Sequence, residues 1–327
     1  MHLGGLALSG AGALCLEATA VEAEGRISPG DLGLYDAATE AALVPVLKAI
    51  REHSKTAVFM QVAHAGRKAS SPLPWLGSKQ LSIAEGGWQP HAPSPIPFKE
   101  GESTPRALDA AGLRRVRDAF AATAQRADRL GIDGLELHFA HGYLMHEFLS
   151  PLSNQRSDEY GGSLENRLRF PLEVFDAVRA AFPAHKPVGV RVSATDWVEG
   201  GWDLEQTLVF AKALKSRGVD WVTGSSGGLS PLQKISVGPG YQVPFAQALK
   251  ASAAVHSMAV GLITEPQQAE AIIADGQADL IAVARGMLYD PRWGWHAAAA
   301  LGAKIDGPPQ YWRALPREHA ALFQNAH

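Results

Sequence analysis

Two kinds of pattern alternate along the chain. Short, nearly unbroken apolar runs are followed by longer stretches in which apolar residues recur at helical spacing. The apolar runs predict seven strands, over 13–21, 56–62, 134–138, 187–193, 219–224, 257–261 and 279–284. Between them the spacing predicts helices over 39–53, 109–130, 164–182, 203–216, 243–254, 265–274 and 291–301. Leu43, Val46, Leu47 and Ile50 share one helical face, as do Leu113, Val116 and Phe120. Asp109 is a natural N-cap and Gly131 a natural stop for the helix they flank. Pro171 interrupts or restarts the helix over 164–182. Strand–helix alternation of this kind predicts a parallel sheet with helices outside it.

No glycine cluster has dinucleotide-fingerprint spacing between a strand and a helix, which argues against a doubly wound sheet. The expectation is a single (β/α)8 TIM barrel over 1–327, one strand short of eight. Residues 65–108, rich in Pro, Gly and Ser, form an excursion long enough to be a functional lid. The first residues read as a Gly- and Ala-rich helix already under way, with no capping side chain ahead of it. A secretory leader is disfavoured, because no basic segment and no small-residue cleavage site are present there. The default location is the cytoplasm.

Composition narrows the function classes. A net charge of −3 leaves no electrostatic footprint for nucleic acid. No apolar run approaches the roughly 18 residues that would cross a bilayer. The single cysteine, Cys15, excludes a disulfide framework, a cysteine zinc site and an iron–sulfur cluster held by this chain. Cys15 itself is expected to be an inert core thiol within a strand, and His256 a solvated side chain ahead of one.

Barrel chemistry sits where strands end. Gln61 and His64 lie at one such end, His138, His141 and Tyr143 at another, and Arg191 inside VGVRVS. Arg191 must meet an acceptor: either Glu136, inward on the adjacent strand, or an electron-rich ligand at the barrel mouth. Gly261 and Arg285, near the ends of the last two strands, suit a phosphate. His138 and His141 suit two donors aimed at a substrate oxygen better than two metal ligands, because no third ligand shares their segment. No metal is expected.

At these residues the sequence resembles the Old Yellow Enzyme family of FMN-dependent ene-reductases, most closely its thermophilic-like, xenobiotic-reductase branch. The matching segments are HLGGLALSGAGALCLEATAVEAEGR, QVAHAGRK, GLELHFAHGYLMHEFLSPLSNQRSDEYGGSLENR, VRVSATDW and DLIAVARGMLYDP. Together they span nearly the whole chain. The resemblance implies a TIM barrel with FMN at its mouth and NADPH or NADH as reductant. Ala18 and Gln61 would contact the flavin ring and Arg191 its electron-rich edge, with Gly261, Ala284 and Arg285 on the phosphate. His138 and His141 would hold the carbonyl oxygen of an α,β-unsaturated substrate, and Tyr143 would donate a proton, in a ping-pong hydride transfer.

The tail PPQYWRALP resembles one in which Trp312 and Arg313 reach a neighbouring subunit's site, implying a homodimer or homotetramer. The resemblance also implies that the family's first strand, with its flavin-side cysteine and a substrate-contacting tyrosine, precedes Met1. Two other readings stand beside this one. The first is a barrel with impaired flavin binding and no activity. The second is a non-flavin barrel that binds an anionic metabolite through Arg191 and Arg285.

Overall fold

Seven parallel strands form one curled sheet in the computed structural model, which describes residues 1–324. They are β1 (Ala13–Ala20), β2 (Ala57–Ala63), β3 (Gly134–Phe139), β4 (Val188–Ser193), β5 (Trp221–Ser225), β6 (Ser257–Ala259) and β7 (Leu280–Ile281). Each pairs with its neighbours in chain order, and every pairing is parallel. This is a TIM-barrel wall whose outer strands, β1 and β7, each pair on one side among the described residues. Helices cross back over the outside, as right-handed parallel connections require.

Local signals explain the elements. Asp36, Asp109, Ser163 and Asp203 each cap a helix, accepting the N–H of the residue three positions on. The helix Ala110–Arg129 buries Leu113, Val116, Phe120, Ala124 and Ala127 along one stripe against the sheet. Outward residues of β3 (Leu135, Leu137, Phe139) are fully buried beneath such helices.

The inward side chains fill the lumen in layers. At the floor, Phe59 and Trp221 stack with ring centroids 5.5 Å apart. A Cβ on Gly134 would sit 3.0 Å from the Phe59 ring, and one on Gly189 would collide with the Trp221 ring. The intervening strands therefore carry glycine where β2 and β5 carry rings. Above them, Gln61 donates to Glu136 at 2.7 Å, and Thr223 donates to the other Glu136 oxygen at 2.5 Å.

Several expectations shift on detail. The strand expected over 257–261 closes at Ala259, and that over 279–284 shrinks to two residues. The backbone turns out of the sheet at Gly261 (φ 121) and at Ala284 (φ −109, ψ −72), so these segments lead into loops. The helix Leu164–Ala181 runs straight through Pro171, held by the burial of Phe170, Pro171, Leu172 and Val174. The helix expected over 243–254 is Val243–Ala248 followed by a π-helical turn, Leu249–Ala253. Short helices at Leu144–Leu149 and Arg285–Tyr289 were not expected. The excursion over 65–108 holds two 3-10 turns and a two-stranded ladder, His91–Ala92 with Arg106–Ala107.

Cys15 is not a buried core thiol. It is exposed, because β1 is an edge strand that only β2 covers on its paired side. It nonetheless sits deep enough that burial, and then the charge of Glu136, push its thiol upward. His256 is solvated, its side chain 78% exposed. Among the described residues no helix is long and apolar enough to cross a membrane.

Candidate active site

The upper end of the lumen is built from the ends of β3, β4 and β5. His138 and Arg191 are register partners on β3 and β4, and Ser193 and Ser225 on β4 and β5. After β3 the chain makes a sharp turn, with His141 (φ 59) and Gly142 (φ 74) both in the left-handed region. Gly142 has no room for a Cβ, which would lie 2.2 Å from the Gly228 carbonyl oxygen; the two loops touch backbone to backbone there. Adjacent left-handed residues persist only where the surroundings over-determine them.

Five hydrogen bonds pin this turn and the loop it touches. The His141 N–H donates to Ser193 Oγ at 2.9 Å, and Lys68 Nζ donates to the His141 carbonyl at 2.8 Å and to that of Gly228 at 3.1 Å. The Gly142 N–H donates to His146 Nδ1 at 2.9 Å, and the Tyr143 N–H to the Ala140 carbonyl at 3.2 Å. His146 is itself held, with Nε2 2.8 Å from Asp196 Oδ1. Asp196 also accepts from Ser150 and from the Trp202 N–H. Burial pushes the Asp196 carboxyl up, but His146 and these donors outweigh it and hold it below its usual range.

The turn delivers three polar rings to one place. His138 and His141 meet edge to face at 4.9 Å, and His138 and Tyr143 do the same at 4.9 Å. His138 Nε2 lies 3.2 Å from His141 Nδ1, and His141 Nε2 lies 2.7 Å from Ser225 Oγ. Burial, reinforced by Arg191, holds both imidazoles well below the ordinary histidine range, so both are neutral at physiological pH. Burial raises the Tyr143 hydroxyl to about 12 and pulls the Lys68 ammonium down to about 8.

Arg191 makes no hydrogen bond to Glu136. Both Glu136 oxygens are taken by Gln61 and Thr223, and the buried Arg191 Nε has no hydrogen-bond partner. A half-buried guanidinium with no ion-pair partner among the described residues is costly, and on β4 Arg191 stands two residues beyond Gly189, the register partner of Glu136. Across the mouth, Gly261 is buried at φ 121, and a Cβ there would lie 2.9 Å from Gln242 Nε2. Ala284 and Arg285 are exposed at the start of the helix that follows β7. Ala18 lies where the β1–β2 register shifts, between Leu16 and Thr19, a bulge of the kind found beside functional sites.

Residues 6–302 match the NADH:flavin oxidoreductase / NADH oxidase family. The chain belongs to that family, the Old Yellow Enzyme family. It is an NAD(P)H:flavin oxidoreductase. It is 42% identical to NADPH dehydrogenase of Geobacillus thermodenitrificans over 96% of this chain and 86% of that protein. It is 46% identical to NADPH dehydrogenase of Bacillus licheniformis over 93% of this chain and 84% of that one. Its fold superposes on morphinone reductase in complex with tetrahydroNAD with a TM-score of 0.74, at 27% identity, covering 94% of this chain and 83% of the other.

Not every predicted site residue of this Old Yellow Enzyme converges on the mouth. Trp312 donates to the Gly307 carbonyl at 2.8 Å and packs in a cluster with Trp295 and Phe323, and Arg313 is exposed. That cluster abuts Gly10, where the chain enters β1, at the opposite end of the strands from His138. His64 is a structural clasp: its Nε2 lies 2.9 Å from Glu22 Oε1, and its Nδ1 accepts the Gly66 N–H at 3.0 Å. Lys68, Ser193, Ser225, His146 and Asp196 were not singled out from sequence. Lys68, Ser193 and Ser225 act through partners far away along the chain, and His146, four residues from the Gly142 N–H it accepts, is fixed by the distant Asp196.

The neutral histidines make stability depend on pH. The unfolded chain protonates them near the ordinary value of about 6.5, whereas the fold holds them well below it. The unfolded state therefore binds more protons, and this contribution, full above about 6.5, is lost as pH falls through that value. Denaturation midpoints are expected to drop between about pH 7 and 5, and His138→Asn to remove part of that slope. An unchanged slope in the variant would contradict a neutral, buried His138.

Proposed function

We propose that this enzyme reduces the C=C bond of α,β-unsaturated carbonyl compounds, with FMN as cofactor and NADPH or NADH as electron source. The observation that carries the reading is the unpartnered Arg191 beside two neutral histidines and a protonated tyrosine. A flavin fits this donor set. Arg191 would meet the electron-rich edge of its ring and stabilise negative charge there, Ala18 and Gln61 would contact the ring, and Gly261, Ala284 and Arg285 would hold its phosphate. When bound, FMN supplies the redox chemistry, taking up hydride from the nicotinamide and giving hydride to the alkene.

The chain's own residues handle the oxygen and the proton. His138 and His141 hold the carbonyl oxygen and stabilise the charge that develops on it as hydride arrives at Cβ, an oxyanion-hole role. Tyr143 gives its phenolic proton to Cα. The tail residues Trp312 and Arg313, remote from this chain's own mouth, belong in this reading to the site of a neighbouring copy in a homodimer or homotetramer. In this reading the enzyme works in the cytoplasm; among the described residues no helix is long and apolar enough to cross a membrane.

Two measurements test the reading. With NADPH and cyclohexenone, the FMN-loaded protein is expected to form the saturated ketone, one per nucleotide oxidised; nucleotide oxidation without ketone would contradict it. Binding of para-hydroxybenzaldehyde, a phenol that mimics the held oxygen, is expected to weaken about tenfold or more in His138→Ala, the loss of one hydrogen bond to a charged acceptor. Unchanged affinity would remove His138 from the oxygen anchor.

A further inference from the structure

The histidine pair can aim two N–H groups at one oxygen in only one protonation pattern. His138 Nδ1 accepts the Ala140 N–H at 3.3 Å, so neutral His138 carries its proton on Nε2. That nitrogen faces His141 Nδ1 at 3.2 Å. With no ligand between them, His138 donates to His141 Nδ1, and the His141 proton sits on Nε2, facing Ser225 Oγ at 2.7 Å. To hold a carbonyl oxygen with both rings, His141 must instead carry its proton on Nδ1. Its Nε2 then becomes an acceptor and needs a donor.

Ser225 is placed to be that donor. It is 2% exposed, fixed at the end of β5. Its hydroxyl has one other acceptor, Gln242 Oε1, at a long 3.4 Å, and that oxygen already takes the Ser226 hydroxyl at 2.7 Å. Turning the Ser225 hydroxyl from Gln242 to His141 therefore keeps the 2.7 Å bond with its direction reversed, gives up only the long one to Gln242, and leaves Gln242 Oε1 satisfied by Ser226.

We infer that Ser225 is a positioning residue that sets the tautomer of His141, converting the histidine pair from a donor–acceptor contact into a two-donor clamp when an oxygen ligand binds. The change conserves protons: one leaves His141 Nε2 to water and one arrives at Nδ1 from water, so the ring stays neutral. This deepens the proposed function and rests on its reading of the pair as the oxygen anchor.

The test combines binding with a spectroscopic signature. In FMN-loaded protein labelled with ¹⁵N-histidine, adding para-hydroxybenzaldehyde is expected to move the His141 proton from Nε2 to Nδ1, read from the two ring-nitrogen shifts. In Ser225→Ala the shift is expected to fail, and affinity for the probe to fall about tenfold, the loss of one buried hydrogen bond. Ser225→Thr, which keeps the hydroxyl, should restore both. If His141 changes tautomer alike in the unsubstituted protein and in Ser225→Ala, with equal affinity, the inference is overturned and the oxygen-anchor reading stands. If the probe moves neither imidazole of the unsubstituted protein, the anchor reading itself fails, and the inference with it.

Discussion

Replacing Tyr143 with phenylalanine is expected to slow turnover of an enone by about 10²–10⁴-fold, the range for losing a positioned general acid. Reduction of the bound flavin by NADPH should be nearly unchanged. The geometry motivates the split. The Tyr143 ring stands edge-on to His138 at 4.9 Å, and Lys68 Nζ lies 5.1 Å from its centroid, so the phenol is held rigidly beside the oxygen anchor. No protein group among the described residues hydrogen-bonds its hydroxyl, which leaves that proton free for a ligand. With the hydroxyl raised to about 12, Tyr143 stays protonated through neutral and moderately alkaline pH. Enone turnover should therefore show no loss of this acid below about pH 11. Stopped-flow absorbance separates the two half-reactions; equal slowing of both would contradict the proton-donor role.

The second large effect belongs to Arg191. Arg191→Met is expected to weaken FMN binding by about 10²–10³-fold, the cost of removing one member of a desolvated charge pair. The same change should leave stability of the flavin-free protein equal or higher. In the free chain the Arg191 Nε is buried without a partner, and removing an uncompensated charge relieves a penalty. The two readouts move in opposite directions only if Arg191 exists for the ligand. A flavin titration beside a denaturant titration decides it: loss of stability with affinity intact would make Arg191 a structural residue.

Much of this site was legible in the sequence because barrel strands have a period of two. Arg191 within VGVRVS and Glu136 within GLELH had to face inward, and His138 had to close its strand at the mouth. Parity could not say whether Arg191 pairs with Glu136. That depended on Gln61 and Thr223, from two other strands, reaching Glu136 first. The residues that hold the His141 turn were missed for a similar reason. Lys68 binds the His141 carbonyl across 73 residues and Ser225 binds its ring across 84, and no local pattern carries such pairings.

The weakest readings were at the edges of the sheet. Cys15 sits in an apolar run that reads as core, yet among the described residues its strand is an edge strand of the sheet, and the thiol is exposed. The runs that begin at Ser257 and Asp279 look like full strands, but their last residues bend into the loops that carry Gly261 and Ala284. Apolar content alone does not mark where a strand stops and a ligand-binding loop begins.

The most direct measurement is spectral and anaerobic. FMN is added to the purified protein, excess is removed, and NADPH and then cyclohexenone are supplied in turn without oxygen. The account predicts that the protein retains the yellow band, that NADPH bleaches it, and that the enone restores it. A protein that holds no flavin, or one whose bleached flavin the enone leaves unchanged, would contradict the account.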